Sequence, residues 1–492
     1  MGKVIRYFMV LSALLVCCTF SALAAEAQYG DADIQAEGFS RPGSLCDGSR
    51  TTAASTDGPA QVTVSREGGI AALYIEFDRV PQPWTLTDPA SGDSLACGEN
   101  GFLHEYVDIS ALGNSMPEEI VLSFGAGTAI GELYAFSEGE LPDWVQIWQP
   151  PCQQADLLLI SSHADDEQLF FAGVLPYYAV ERDLNVQVAY LVQYFEGGYA
   201  DHRRPHEQLD GLWTVGVRNY PVMPRFPDLY SESKNREKAL AQALSVYEAA
   251  GYTYEDFVDY LTWCIRRFQP LVVVSHDLDG EYGHGTHVLC ADALGTALDR
   301  AADPALAQAG GETLEPWQVE KTYLHLYPEN QIVMDWDTPL DSLGGKTPFQ
   351  VTREGFDCHQ SQHWTWFYRW IYGTSSNPIQ RAADIRSYSP CLYGLYDTQV
   401  GLDTVGGDFF ENVETWAQRA EAERLAEEER LAEEARRAEE ERLAQERAEE
   451  ERLAQERQEA QRRMTIALAA GAAIAAICAI VIVTLIRRRG RR

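Results

Sequence analysis

At 492 residues the chain has room for two folded domains and further extensions. Its formal net charge of −35, from 39 basic against 74 acidic residues, is not confined to one segment. A balance this acidic argues against nucleic acid as a partner and suits a soluble surface outside a cell. Residues 1–25 place Lys3 and Arg6 before an apolar core from Phe8 to Phe20 and a small-residue site at Ala22-Leu23-Ala24, the pattern of a secretory signal peptide. Val16 before Cys17 does not suit a lipoprotein signal. Cys46, Cys97, Cys152, Cys264, Cys290, Cys358 and Cys391 remain in the exported part. Their number is odd, so at least one thiol is unpaired or joined to another molecule. Cys46 with Cys97 is the one bridge the spacing proposes, and without a Cys-x-x-Cys pair a thiolate zinc site is not indicated.

Residues 28–147 are built from short β-rich pieces, Gln61-Val62-Thr63-Val64, Ala72–Phe77, Glu119–Phe124 and Gly131–Phe136, between turns rich in Gly, Pro, Asp and Ser. That texture predicts an antiparallel β-sandwich. The turn Leu45-Cys46-Asp47-Gly48-Ser49 and the piece Ala72–Phe77 resemble a discoidin-type, galactose-binding-like domain. The resemblance implies a carbohydrate-binding module; a spacer without a ligand is the alternative reading of the same pattern.

Pro142 to Pro151 reads as a linker into an α/β domain over residues 152–412. There, apolar strand-like runs (Leu157–Ile160, Asn185–Val192, Leu271–Ser275, Lys321–Leu326) alternate with helix-length tracts such as Ser233–Ala250 and Tyr254–Phe268. The alternation predicts a Rossmann-like, mostly parallel sheet with helices on both faces. Residues Gly355 to Val413 are less regular and are expected over the pocket mouth. Two segments carry the chemistry: Ser162-His163-Ala164-Asp165-Asp166-Glu167 and Gly280-Glu281-Tyr282-Gly283-His284-Gly285-Thr286-His287. Each follows a buried strand and precedes an amphipathic stretch of helical length. Loops at the carboxyl ends of parallel strands meet in one crevice. Two imidazoles and a carboxylate meeting there suit Zn²⁺, and a second carboxylate can take a proton from the water the metal activates. That combination points to hydrolysis.

The first segment resembles the His-x-Asp-Asp-Glu signature of the PIG-L (LmbE-like) N-acetylglucosaminyl deacetylase family, and the second resembles that family's His-x-x-His segment. Arg204-Pro205-His206-Glu207 followed by Val215-Gly216, and Cys358-His359-Gln360-Ser361-Gln362, resemble its Arg-x-x-Glu helix and its late Ser-Gln motif. The resemblance implies zinc held by His163, Asp166 and His287, Asp165 as general base, and His284 near the oxyanion or the leaving amine. Ala164 replaces the family's common Pro, and Thr286 stands where several members carry an Asp, a change that bears on acid catalysis by His284. Arg204, His276 and Asp277 are the substrate-binding candidates, with a turn or supporting role the alternative for the last two. His202, His206, His359 and His363 are weaker candidates, and Trp364, Trp366, Phe367, Tyr368 and Trp370 form an aromatic cluster that reads as core or as a sugar-stacking surface. The activity implied is removal of acetyl from an N-acetylated amino sugar in a glycan or glycoconjugate. The rivals are a catalytically inactive surface adhesin and a zinc amidohydrolase acting on another amide.

Residues 417–463 repeat an Arg-Leu-Ala-Glu-Glu-Glu-like unit with irregular leucines, Leu425, Leu431, Leu443 and Leu453. A solvated single helix is expected, about 70 Å long at 1.5 Å per residue, with a loose coiled coil as runner-up. Met464 to Ile486 is uncharged and long enough to cross a hydrocarbon core of roughly 30 Å. Residues 487–492 form a basic tail. With the signal peptide, this predicts a single-pass protein of the cell membrane with its N-terminal domains extracellular. The Ala- and Gly-rich span also permits dimerisation through the stalk or the membrane helix.

Overall fold

The computed structural model describes residues 25–113, 116–197 and 199–490. The expected signal peptide, save Ala25, lies outside the described residues, as does the end of the basic tail.

The front of the chain forms two antiparallel sheets. One has the order β1 (Asp33–Glu37), β3 (Ala60–Ser65), β8 (Glu119–Phe124), β5 (Trp84–Thr87), β6 (Ser94–Cys97). The other runs β2 (Ala54–Ser55), β9 (Ala129–Phe136), β4 (Ala72–Phe77), β7 (His104–Asp108). In β3 and β8 buried and open residues alternate, so Val62, Val64, Ile120 and Leu122 all enter the core. There they join Leu73, Ile75 and Leu133 of the other sheet. The proposed Cys46–Cys97 bridge is not formed, and both thiols are free. Cys46 follows a short turn packed on β9, whereas Cys97 lies in β6 at the edge of the opposite sheet.

The next sheet runs β11 (Val186–Tyr190), β10 (Leu157–Ser161), β12 (Val272–Ser275), β15 (Lys321–His325), β19 (Leu392–Thr398), β16 (Gln331–Val333). The first four strands are parallel, and β19 pairs antiparallel with both β15 and β16. Every residue of β10 and β12 is buried, as central strands covered on both faces require. The chain leaves β10 for β11 on one side and later enters β12 on the other, so the order reverses between β10 and β12. That reversal is where open α/β sheets form their crevice. Two short hairpins complete the strands, β13 (Gln308–Ala309) with β14 (Glu312–Thr313) and β17 (Gly373–Thr374) with β18 (Asn377–Pro378).

The helices are α1 (Asp166–Leu169), α2 (Arg203–Thr214), α3 (Arg236–Ala249), α4 (Tyr254–Phe268), α5 (Gly285–Ala302), α6 (Pro348–Asp357) and α7 (Trp366–Tyr372). A capping box between Thr253 and Asp256 starts α4, and its buried face carries Phe257, Leu261, Cys264, Ile265 and Phe268. The helix expected after the first motif is short. Regular helix ends at Leu169; Gly173 then takes φ +88° where a β-carbon would meet the Trp336 ring, and the chain resumes as a wide turn from Pro176. Nor is the 142–151 segment a free linker. Trp148 is buried edge-on to Trp213, and Gln146 donates to Asp210 at 2.6 Å.

Residues Ala417–Arg492 form a second unit, whose described residues up to Arg489 lie in one helix, α8 (Trp416–Arg489). Arg424, Arg430 and Arg442 each pair with Glu residues three positions before and four positions after them, as Arg424 does with Glu421 and Glu428. The same helix contains a stretch apolar enough, by length and composition, to cross a membrane.

Candidate metal and catalytic site

Loops from β10 and β12 bring the ligand candidates together. His163 Nδ1 lies 3.0 Å from Asp166 Oδ2 and 3.0 Å from His287 Nε2, and the latter two atoms are 3.1 Å apart. Ligand atoms at about 2.0–2.1 Å around a tetrahedral ion stand about 3.3 Å from one another, so the set needs only slight expansion to hold one. His163 closes the loop further by donating its backbone N–H to Asp166 Oδ2 at 2.8 Å.

The charge around His163 tests the fit. Burial disfavours its protonated form, but the Asp166 and Asp228 carboxylates outweigh that and lift it to about 10. Two imidazoles and a carboxylate closing on one point, with the Asp228 carboxylate 3.5 Å from His163 Nε2, are a zinc-type donor set. His284 Nδ1 accepts the Thr286 N–H at 3.3 Å and caps α5. Burial, then His163 and His287, hold its pKa well below the usual histidine value. It is therefore neutral, and its proton is assigned to Nε2.

Asp165 lies beside the ligands with φ +129°, outside the comfortable range for an L-residue. Three groups hold it there. Its N–H donates to Glu167 Oε2 at 2.9 Å, and Arg204 Nη2 donates to Asp165 Oδ1 at 3.1 Å and to Ala164 O. The Arg204 guanidinium lies over the Tyr194 ring, 4.1 Å from its centroid, and the Tyr194 hydroxyl accepts the Ala164 N–H. Burial raises the Asp165 pKa, Arg204 opposes the rise, and Asp166 adds to it; the net direction is upward. Arg204, expected to contact substrate, lines the cavity, but its terminal nitrogen is engaged with the base.

Beneath the ligands is a carboxylate to which sequence reasoning assigned no role. Glu281 is fully buried; its Oε2 accepts from His287 Nδ1 at 2.7 Å and His276 Nδ1 at 2.8 Å, and its Oε1 faces His325 Nδ1 at 2.7 Å. Gly280, at φ +68°, turns the chain so that Glu281 points inward, and a β-carbon there would meet Val288 Cγ2 at 2.7 Å. Burial works against the Glu281 charge, but the three histidines carry its pKa well below the carboxylate range. With Nδ1 of His287 donating to Glu281, its Nε2 is left as a lone-pair donor toward the ion position.

The structure does not bring the other candidates to the cavity surface. His276 is fully buried, accepting the Ser162 N–H at 2.8 Å, and belongs under the site. Asp277 closes the turn, accepting from Asp279 N–H and donating its own N–H to Glu281. His206 faces away from the site, stacked on His104 of β7 with ring nitrogens 2.8 Å apart, and His202 pairs with Asp78. His359 is buried against Glu167. Asp228, 3.5 Å from His163 Nε2, and Tyr194 were missed, since neither stands in a motif. Glu281 could have been found: it stands in the quoted second segment, six residues before a ligand candidate.

A cavity of about 390 Å³ opens above these groups, with His163, Asp165, Asp166 and His284 in its lining and Tyr230, Tyr282, Trp364 and Phe367 toward the outside. The lining from Ser361 to Phe367 matches the expectation that the late, irregular segment covers the mouth.

Residues 158–298 match the family model described as PIG-L, GlcNAc-PI de-N-acetylase. A 1D-myo-inositol 2-acetamido-2-deoxy-alpha-D-glucopyranoside deacetylase of Frankia alni is 38% identical over 85 residues, covering 17% of this chain and 28% of that protein. One from Saccharopolyspora erythraea is 35% identical over 156 residues, 32% of this chain and 47% of its own. The chain thus spans less than half the length of these two curated relatives. The solved N,N′-diacetylchitobiose deacetylase of Pyrococcus horikoshii overlaps 46% of this chain and 80% of its own, at 18% identity and a TM-score of 0.29, too little to bear on activity.

Proposed function

We propose that this chain is a zinc-dependent deacetylase that removes the acetyl group from an N-acetylated amino sugar in a cell-surface or extracellular glycan or glycoconjugate. The observation that carries the reading is the meeting of His163, Asp166 and His287 within 3.1 Å of one another beside a buried, strained Asp165. A divalent ion on those three ligands supplies Lewis-acid polarisation of the carbonyl and a more acidic water.

The chain's own groups divide the remaining work. Asp165, its pKa raised by burial, takes a proton from the attacking water; a positioned base contributes on the order of 10²–10⁴-fold. Arg204 and Glu167 keep it aimed, so Arg204 acts on the reaction through Asp165. Neutral His284, with its proton on Nε2, donates a hydrogen bond to the carbonyl oxygen as charge develops there, and Asp165 returns the proton it took from water to the leaving amine as the C–N bond breaks. Glu281 fixes the tautomer of His287, and His276 supports both from below. In this reading the apolar part of α8 anchors the protein in a membrane with the catalytic body outside, and the front sheets bind glycan.

Zinc content and acetate release from N-acetylated saccharides test the proposal together. His287→Ala should lose metal and turnover while keeping its fold by circular dichroism. Full zinc retention in that variant would place the third ligand elsewhere, and a metal-replete wild type without turnover would favour the adhesin reading.

A further inference from the structure

Several aromatic residues near the cavity pack against neighbouring groups. Phe367 packs edge-on against Phe170, Trp366 lies against Tyr282 and Phe367, and Trp370 donates its indole N–H to Ser387 O. Trp364 is different: 84% of its surface is exposed, although it lines the same cavity as His163 and Asp165. Nor is it on a loose loop. Glu207 of α2 accepts both the Ser361 N–H at 2.9 Å and the Ser361 hydroxyl at 2.6 Å. On the other side, Thr365 donates its N–H and its hydroxyl to Gln362 O at 3.0 and 2.7 Å, and its hydroxyl oxygen accepts the Phe367 N–H in the first turn of α7 at 3.3 Å. A large apolar ring is therefore held in water by a turn fixed on both sides. The same helix that aims the base through Arg204 fixes this turn through Glu207. Exposed apolar surface continuous with a polar cavity marks a binding surface.

Exposure rises across the cavity from the buried ligand candidates to half-exposed Tyr230, whose ring stands edge-on to His284, and then to Trp364. A substrate with its acetamide at the buried end must send its remainder past that rim. Asp201 and Arg203, paired at 2.7 Å, lie along the same lining and offer an acceptor and donors suited to hydroxyls. An indole face beside such groups suits a pyranose ring, with one apolar C–H face and a hydroxyl-bearing edge, better than an acyl chain, which would leave the polar groups unmatched.

Resting on the deacetylase reading, we propose that Trp364 is the stacking platform for the sugar ring next to the reacting one, so that the site selects a disaccharide or longer saccharide over a monosaccharide. The rigid turn means that little ordering is needed when the ring binds.

The test uses the full chain in detergent, with N-acetylglucosamine and N,N′-diacetylchitobiose as probes, following acetate release and, separately, binding by calorimetry. Wild type should prefer the disaccharide. In Trp364→Ala the ratio of kcat/KM between the two sugars should fall about five- to tenfold, the size of one aromatic contact, and Trp364→Phe should recover most of it. A ratio unchanged within twofold in Trp364→Ala overturns the proposal even if both sugars are deacetylated, and leaves the deacetylase reading standing. Trp364-dependent disaccharide binding without acetate release sinks that reading and keeps the subsite. Failure of the wild type to bind or turn over either sugar overturns both.

Discussion

Replacing Glu281 isolates what the carboxylate under the metal site does. Three histidine nitrogens share its two oxygens at 2.7–2.8 Å. In Glu281→Gln the amide oxygen can take the place of Oε2 and still accept from His276 and His287. Its NH₂ then faces His325 Nδ1, which can accept because His325 Nε2 can donate to Ser389 O at 2.9 Å. The three histidine hydrogen bonds survive, the long one from the Asp277 N–H to Oε1 is given up, and the charge is lost, which reduces each histidine contact from a charge-assisted to a neutral one, a difference of about 1–1.5 kcal/mol. Zinc affinity should therefore fall about tenfold. Glu281→Ala removes the acceptor as well, leaving His287 free to place its proton on Nε2, where it blocks the metal; the loss should approach about 100-fold, the upper end for such supporting residues. Competition with a chromogenic chelator at constant pH measures both, with circular dichroism confirming the fold. Wild-type affinity in both variants, or equal losses in the two, would refute the argument that Glu281 acts through the orientation of His287.

Asp165→Asn should keep its zinc and lose on the order of 10²–10⁴ in kcat, whereas Asp166→Asn should lose zinc first and recover in part with excess metal; metal content and turnover measured side by side would expose a reversal of roles. Because Asp165 must be ionised to act and its pKa is raised, activity should fall with decreasing pH well above the ordinary Asp value of about 3.9. Arg204 lowers that pKa, so Arg204→Met should move the acid limb of the pH–rate profile to higher pH; a limb that stays or moves down refutes the pairing. His163, held protonated to about pH 10 without metal, must release its proton on binding. Calorimetry in two buffers at neutral pH should show about one proton released per ion, and affinity should rise with pH.

The sequence alone was enough to mark the central strands and the meeting of the two motifs. Uninterrupted apolar runs such as Leu157–Ile160 and Val272–Val274 can only be central strands, and loops at adjacent parallel strand ends have to share a crevice. His163, Asp166 and His287 meet for that reason, and α4 occupies the tract Tyr254–Phe268 expected of it. The helix after the first motif is shorter than expected: Gly173 turns the chain at φ +88°, and the Trp336 ring, far along the chain, leaves no room for a β-carbon there. Partner choice belonged to the tertiary structure. The helical period puts Arg204 and Glu207 on one side of α2 and His206 and Asp210 on another. Nothing local says that the first pair would turn to Asp165 and Ser361 while the second met His104 and Arg50 of the front sheets. Glu281 and His276 likewise became supports, and Trp364 a rim, only once distant strands and turns closed around them. A hydrogen bond or a buried ring is fixed by which groups approach within a few ångströms, and that approach is decided by packing across the whole fold.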